Sequence, residues 1–283
     1  MNTFNTMGLA LLVLCPLAVA AQGYDCLVAP SQLVEVRAPT DGLIATVTVT
    51  RGDTVRRGQT LVTLESEAEK LGVELARQRA LMEGQVASAR TRIDYAGKKL
   101  ARLKDLADGN FSSALARDEA DAELRLAQAE LQSALEARAM AQVEWRRSEK
   151  LLALRTLSAP FDGVVVDRML NPGDLAESGA GRSAVLKVAR INPMHVDVAL
   201  PAALWSQVQK GRGASVTPVV GGQTFKARVH SVDRVIDAAS GTFIARLELP
   251  NPQGQVPGGA RCQASIDGVA GPLRPVRARA SPG

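Results

Sequence analysis

Hydrophobic positions recur along the chain with two different periods, and the change of period divides the sequence into segments. Between residues 66 and 152 apolar side chains are spaced three and four residues apart, which is the period of one helix face. No proline occurs between Pro39 and Pro160, and this part of the chain is rich in the helix formers Ala, Leu, Glu, Arg and Gln. The pattern therefore predicts helix across residues 66–152.

A turn signal interrupts the helical segment near its middle. Residues 107–113 read Ala-Asp-Gly-Asn-Phe-Ser-Ser, a cluster of turn-forming residue types. The arms on either side would each reach roughly 60 Å as a continuous helix of about 40 residues. We therefore predict a long antiparallel helical hairpin that projects from whatever body carries it.

Each arm of the predicted hairpin carries one apolar stripe with the spacing of a coiled-coil seam. Ser66 and Glu69 have the spacing of a capping box at the start of the first arm. The predicted seam positions are Leu75, Met82, Val86, Ala89, Ile93, Ala96, Leu100, Leu103 and Ala107 in the first arm, interrupted by Arg79, and Ala120, Leu124, Ala127, Leu131, Ala134, Ala137, Ala141 and Trp145 in the return arm.

A period of two appears on both sides of the helical segment. Residues 43–50 alternate between apolar and polar side chains, which predicts a half-buried strand. A set of six residues in or beside turns recurs after the hairpin with one constant separation, which indicates an internal repeat. The repeated residues are Ala38, Pro39, Asp41, Gly42, Gly52 and Asp53 in the first copy and Ala159, Pro160, Asp162, Gly163, Gly173 and Asp174 in the second.

The repeat predicts how the strands are arranged. A copy of about 30 residues made of short strands cannot bury both of its faces alone, so the two copies should form one small β-sandwich. The hairpin is then an insertion between its halves, and Asp41, Gly42, Gly52, Asp162, Gly163 and Gly173 serve its turns. After residue 190, short alternating strands separated by turn signals predict a small β-barrel.

The first residues of the chain predict export. Residues 1–20 contain no charged side chain and end in Ala18-Val19-Ala20, a small-residue cleavage pattern, so we interpret them as a signal peptide. A membrane anchor is the alternative, but the apolar run is shorter than the ~18 residues that a span needs. Cleavage would leave Cys26 and Cys262, and in an exported protein this pair favours a disulfide over two free thiols.

Charge and composition exclude several classes of function. The 34 basic residues are interleaved with 29 acidic ones, which indicates a mixed solvated surface and argues against a nucleic-acid partner. The chain has two histidines, His195 and His230, and we found neither a phosphate loop nor a nucleophile elbow. We therefore predict no metal site, no cofactor and no enzymatic activity.

The split repeat, its inserted hairpin and the strands that follow resemble the periplasmic adaptor proteins of bacterial efflux and secretion systems, also called membrane fusion proteins and HlyD-like. Leu249-Pro250-Asn251-Pro252 and Pro257-Gly258-Gly259 are similar to the β-barrel domain of that family. The resemblance implies an elongated α+β chain in which a long antiparallel α-helical hairpin is inserted in a split lipoyl-like β-sandwich. The predicted segments are a signal peptide (1–20), an N-terminal strand (21–33), two lipoyl-like halves (34–65 and 153–190), the hairpin (66–152), the barrel (191–267) and a tail (268–283).

Three residues beside the central turn resemble the tip motif with which such adaptors meet TolC-like outer-membrane channels. Arg102, Leu106 and Ser113 stand in the order Arg-x3-Leu-x6-Ser, and the first two share a helix face. The resemblance implies that the arginine and serine bond to the channel and that the leucine fills a groove in it. The local alternative makes Ser113 a helix cap, Leu106 the last seam residue and Arg102 a solvated charge.

The resemblance implies a periplasmic adaptor that forms a trimer or hexamer ring and links an inner-membrane transporter to a TolC-like channel for efflux of small molecules. It favours an RND-type transporter over an ABC-type one. The segments outside the halves and the barrel are short, so a membrane-proximal domain is predicted to be reduced or absent. The alternatives are an exported coiled-coil scaffold and a biotinyl or lipoyl carrier, although Lys70, the nearest lysine, lies inside the helical pattern rather than in a strand hairpin.

Overall fold

The computed structural model describes residues 23–108, 113–179 and 182–271. The predicted signal peptide, the centre of the predicted hairpin turn and most of the predicted tail lie outside the described residues. The chain folds as two compact units. Residues 34–188 form one unit, and the described residues before 34 and after 188 form the other.

The secondary structure follows the two periods of the sequence. The helices are α1 (Glu67–Leu81), α2 (Gly84–Asp108) and α3 (Ala114–Ala153), and Ala202–Gln207 is a short 3₁₀ helix. The strands are β1 (Tyr24–Val36), β2 (Gly42–Val47), β3 (Thr54–Val55), β4 (Thr60–Leu64), β5 (Thr156–Ser158), β6 (Gly163–Arg168), β7 (Leu175–Ala176), β8 (Leu186–Pro201), β9 (Gly213–Pro218), β10 (Phe225–Val232), β11 (Thr242–Leu249) and β12 (Arg261–Ile266).

The first helical arm is two helices, and the prediction of one unbroken arm is wrong. Both α1 and α2 pack against α3. Met82 has an extended backbone, with φ −65° and ψ 119°, and its N–H donates to the Arg79 carbonyl. The next helix starts at once, since the Ala87 N–H donates to the Glu83 carbonyl at 2.9 Å. A two-residue break therefore divides the arm.

The break shifts the phase of the buried helix face. In α1 the buried positions are Ala76 and Ala80. The predicted seam residues Leu75, in α1, and Met82, in the break, are exposed. An extended residue interrupts the helix rotation. A heptad count that continues through it therefore places the buried face one residue off in the helix beyond that residue. Beyond the break the predicted stripe is buried at Val86, Ala89, Ala96 and Leu100 in α2 and at Ala120 and Ala127 in α3.

The predicted capping box at the start of α1 does not form. Ser66 precedes the helix, but its side chain makes no capping hydrogen bond. The carboxylate of Glu69 instead pairs with the guanidinium of Arg155, which comes just after α3. The same guanidinium donates to the Asp41 carbonyl at 2.7 Å. Glu69 thus ties the start of α1 to the chain after α3.

The strands of the 34–188 unit form a small two-part β-structure. Strands β5, β4, β2 and β7 form a four-stranded sheet in that order, and β3 pairs with β6. Their shared core buries Ile44, Val55, Leu61, Leu64, Leu157, Phe161 and Val165. These strands come from both copies of the sequence repeat, so neither copy forms the core alone.

The second unit is a closed six-stranded β-barrel. The strand order is β1-β12-β9-β10-β11-β8, and a β1–β8 pairing closes the ring. Every second residue of β8 is fully buried from Met194 to Leu200, as alternation predicts. The predicted barrel is confirmed, but it also takes in β1, which the sequence treated as a separate N-terminal segment.

Two features fix the barrel strands locally. Cys26 on β1 lies opposite Cys262 on β12, with 4.9 Å between the Cα atoms, and the two sulfurs are bonded. The buried amide of Asn251 donates to the carbonyls of Ile191 and Val256 and accepts the Val256 N–H at 3.1 Å. A buried polar group with all these partners is stabilising, and it explains the asparagine of the Pro-Asn-Pro pattern.

Candidate functional site

The repeat turns hold the base of the helical region. Gly52 and Gly173 occupy equivalent positions in the two copies, with φ values of 95° and 93°. Only glycine adopts this conformation without a steric cost. The N–H of Gly52 donates to Val165 at 2.8 Å, and the N–H of Gly173 donates to Ile44 at 2.9 Å.

The hydrogen bonds between the copies are reciprocal. The N–H of Val165 donates to Asp53, the N–H of Ile44 donates to Asp174, and both distances are 2.9 Å. Since Ile44 and Val165 are equivalent positions of the repeat, each copy makes to the other the same bonds that it receives. The β2–β7 and β3–β6 strand pairings are equivalent in the same way, since exchanging the two copies converts one pairing into the other. The two copies therefore form one interlocked structure with approximate two-fold symmetry.

The aspartates of the repeat also reach across to the other copy. Asp41 Oδ1 accepts the N–H of Ser178 at 2.5 Å and its hydroxyl at 2.7 Å. In the other copy, Asp162 Oδ1 accepts the N–H of Arg57 at 2.7 Å. The hydrogen bond from the Ser178 amide, followed by the one from its hydroxyl, holds the pKa of Asp41 below its ordinary value. These carboxylates close the sandwich.

Gly42 allows a close approach at the point where α3 returns to the base. A Cβ atom built there would lie 2.6 Å from Nη1 of Arg155. The carboxylate of Glu69 accepts hydrogen bonds from the backbone amide of Glu69 itself and from Arg155. These bonds hold the pKa of Glu69 below its ordinary value. Gly42 and Arg155 together connect the sandwich to both ends of the helical region. Gly163 begins β6, where it pairs with Val55.

The predicted tip residues lie at the facing ends of α2 and α3. Ser113 is the N-cap of α3, and its Oγ accepts the Ala116 N–H at 3.1 Å. Arg102 and Leu106 are exposed in the last turns of α2. Leu106 is 49% exposed, so the interpretation of it as a buried seam residue is wrong. Residues 109–112, which join the two helices, lie outside the described residues.

Two ion pairs between α2 and α3 show that these helices are antiparallel. Arg92 pairs with Glu130 and Lys99 pairs with Glu123, both at 2.6 Å. The pair with the higher residue number on α2 has the lower residue number on α3, so the two helices run in opposite directions. Arg138 of α3 reaches Glu83, in the break between α1 and α2, at 3.1 Å. The helix break thus has its own partner on α3.

The two histidines of the barrel are neighbours, which the sequence did not predict. The rings of His195 on β8 and His230 on β10 stack with 5.6 Å between their centroids. Burial, followed by the charges of Arg246 and His230, lowers the pKa of His195. Among the described residues, no group of three His, Cys, Asp or Glu side chains could hold a metal ion.

Lys70 lies in α1, where it pairs with Glu67 at 2.6 Å. It is therefore a helix-surface residue and has none of the hairpin context of a carrier lysine. None of the helices within the described ranges has the length and apolarity needed to cross a lipid bilayer.

Comparison with known protein families accounts for both units. The model of the CzcB-like barrel-sandwich hybrid domain matches residues 32–189. The model of the CusB-like β-barrel domain matches residues 193–269.

Individual relatives match the chain at low sequence identity. The multidrug export protein AcrE of Escherichia coli K12 is 25% identical over 249 residues, 83% of this chain and 61% of AcrE. The pyoverdine export membrane fusion protein PvdR of Pseudomonas aeruginosa is 25% identical over 205 residues, 72% of this chain and 52% of PvdR. The crystal structure of MacA from Actinobacillus actinomycetemcomitans matches with a TM-score of 0.74 at 21% identity, covering 86% of this chain and 77% of MacA. The chain spans about half to three-fifths of the length of these curated relatives.

Proposed function

Because the chain belongs to the CzcB-like barrel-sandwich hybrid family of membrane fusion proteins, we propose that it is a periplasmic adaptor of an efflux system. The observation that carries this proposal is the interlocked repeat, which brings the start of α1 and the end of α3 together on one β-base. An adaptor needs such a base, because it must hold a helical arm while the arm contacts another protein. The relatives AcrE and PvdR are export proteins, which supports efflux as the process.

We propose that α1, α2 and α3 form a hairpin whose tip contacts a TolC-like outer-membrane channel. Arg102 and Leu106 support this assignment, since both are exposed and lie four residues apart on one face of α2. An exposed leucine beside an arginine offers an apolar knob and five N–H donors to a partner. Ser113 shapes the tip as the cap of α3.

Capture of the purified channel protein by immobilised adaptor tests the tip assignment. We expect Arg102→Asp and Leu106→Ser each to weaken capture at least about tenfold, because truncating a hot-spot contact residue costs about 2 kcal/mol or more. The matched controls are Arg90→Asp in α2 and Leu126→Ser in α3, which change exposed residues farther from the tip. Equal capture by the parent and both tip variants would contradict the channel contact.

Two variants of Ser113 separate capping from channel binding. Ser113→Asp keeps a side-chain oxygen for the Ala116 N–H but removes the hydroxyl donor, whereas Ser113→Ala removes both. Because we assign the serine to the cap, we expect the aspartate variant to capture the channel like the parent and the alanine variant to lose helix stability. Loss of capture by both variants, with helicity retained in the aspartate variant, would give the serine hydroxyl a contact of its own.

The remaining partners are an inner-membrane transporter, RND-type in our proposal, and further copies of the chain in a trimeric or hexameric ring. Exposed apolar side chains on the helices support self-association, because such faces commonly mark protein interfaces. They include Leu71, Leu75 and Met82 before α2 and Met140, Val143 and Leu151 on α3. Neither the carrier nor the scaffold alternative has an observation of its own in the structure.

A further inference from the structure

One side of the α2–α3 helix pair carries a regular row of charged and apolar side chains. Each helix contributes three of them, spaced three and four residues apart, and this spacing puts each set on one stripe of its helix. The six residues are Arg92, Tyr95 and Lys99 on α2 and Glu123, Leu126 and Glu130 on α3. The ion pairs Arg92–Glu130 and Lys99–Glu123 join the two stripes on the same side of the helix pair. We call this side the Tyr95 face.

The side chains of the Tyr95 face are accessible to solvent. Tyr95 is 58% exposed and Leu126 is 65% exposed. Both line one cavity of about 300 Å³, together with Arg92, Glu123 and Glu130. The four ion-pairing side chains remain between 41% and 63% exposed, so they can still contact a partner. The six residues therefore form one accessible surface.

Apolar exposure in this part of the helix pair is confined to the side of the Tyr95 face. Between residues 84 and 133, the described chain exposes four large hydrophobic side chains, namely Tyr95, Leu106, Leu115 and Leu126. Leu106 lies seven residues after Lys99 and Leu115 lies eleven residues before Leu126, which are close to two and three helix turns. Single exposed leucines are normal on a protein surface, but four on one side indicate an interaction surface.

The charges of the Tyr95 face are divided between its two helices. Both cations lie on α2 and both carboxylates lie on α3. A second copy that is turned by 180° about an axis parallel to the helices would set α2 of each copy against α3 of the other. Cations would then face carboxylates, and Tyr95 would face Leu126 at the same level. A second copy in the opposite direction would set α2 against α2, where like charges repel.

We propose that the Tyr95 faces of two copies of this chain pair with their tips pointing in the same direction. Tyrosine and arginine are enriched at the centres of protein interfaces, and the complementary charges select this orientation. The inference rests on the proposed function in one respect, since two adaptors that reach one channel must point the same way. Each copy offers this face once, so such pairs fit a hexameric ring of three pairs and do not fit a trimeric one.

The pair should be weak in dilute solution, because each copy contributes only a small apolar surface. Sedimentation velocity of the processed, full-length exported chain tests it at concentrations up to about 1 mM, the order of concentration that tethering produces. We expect reversible dimers of the parent and at least about tenfold weaker dimerisation of Tyr95→Ser/Leu126→Ser.

The matched control for this experiment is Arg90→Ser/Gln128→Ser. It shortens one exposed side chain on each helix, two residues away from the stripes and therefore on the other side. The control should dimerise like the parent. A parent that stays monomeric, equal dimerisation of the parent and Tyr95→Ser/Leu126→Ser, or an equal loss in the control would overturn the proposal.

A charge-exchange variant tests the orientation of the pair. The variant Arg92→Glu/Lys99→Glu/Glu123→Lys/Glu130→Arg keeps both ion pairs within each copy but reverses their direction. Two copies of the variant are complementary to each other, whereas the variant and the parent bring like charges together. We therefore expect each protein to pair with itself and mixed pairs to be at least about tenfold weaker. Mixed pairs that form as readily as like pairs, or more readily, would overturn the arrangement.

Failure of the pairing is distinguishable from failure of the channel contact. The sedimentation experiments contain no channel protein, and channel capture by sparsely immobilised single copies requires no pairing. Leu126→Ser should therefore lose self-association and keep channel capture at low density. If Tyr95→Ser/Leu126→Ser lost channel capture as single copies but kept self-association, the face would belong to the channel contact and the pairing would be overturned.

Discussion

The sandwich base and the helical region of the 34–188 unit are stabilised in different ways. The base relies on reciprocal main-chain hydrogen bonds, on glycines with positive φ and on a core that includes Leu61 at 0% exposure. The helices meet through small side chains such as Ala120 and Ala127 and through ion pairs at the surface. One region specifies a single geometry, whereas the other leaves large side chains available to partners. The proposed adaptor function needs both properties in one chain.

The largest expected effect comes from comparing equivalent truncations in the two regions. We expect Leu61→Ala in the base to lower the free energy of unfolding by about 2–5 kcal/mol, because it leaves a cavity in the packed core. Leu126→Ala on the exposed face of α3 should change it by less than about 0.5 kcal/mol. Urea denaturation of both variants measures this difference. Similar losses in both would mean that the exposed leucine is covered in the isolated protein.

Glycine substitutions should give an intermediate effect with opposite signs in the two regions. We expect Gly52→Ala and Gly173→Ala each to destabilise by about 1–2 kcal/mol, because an L-residue is strained at their positive φ. Gly97→Ala in α2 should stabilise by up to about 1 kcal/mol, since its Cβ would meet open space. Thermal unfolding of the three variants checks the signs. A clear inequality between Gly52 and Gly173 would contradict the symmetry of the base.

The smallest effect should be the pH dependence contributed by Asp41. Its folded pKa lies below the ordinary value of 3.8, so its hydrogen bonds to Ser178 stabilise the fold above that value. The contribution should disappear as pH falls through the folded pKa. The difference in urea midpoint between the parent and Asp41→Asn should therefore be present at neutral pH and vanish in strong acid. Asp105→Asn on α2 is the control, and a difference that persisted in acid would refute the carboxylate's role.

Local signals in the sequence were enough to predict the base. The Gly-Asp turns at Gly52 and Gly173 are readable because positive φ and tight turns demand particular residue types at particular positions. Their recurrence then identified the two halves without any knowledge of contacts. The helices were equally readable from composition and period, and so was the barrel from its alternating strands.

Other features were missed because they depend on distant parts of the chain. Met82 and Glu83 are ordinary helix formers, so no local signal predicts the break between α1 and α2. Arg138, which pairs with Glu83 in that break, lies far away in sequence on α3. The sequence also cannot show that β1 closes the barrel or that His195 stacks on His230, since both follow from strand order. Ser113 was ambiguous for a different reason, because a cap and a contact residue can have the same identity.

The exchange between the copies also favours one order of assembly. Asp41 bonds to Ser178 and Arg57 bonds to Asp162, so every such bond must close a loop that contains the whole helical region. Closing a long flexible loop costs entropy, whereas the contacts within α2 and α3 are nearer in sequence. Collapsed helices would shorten that loop before the two halves meet. We therefore expect the helical arm to act as a folding tether for its own base, and the base to be the last part of the unit to form.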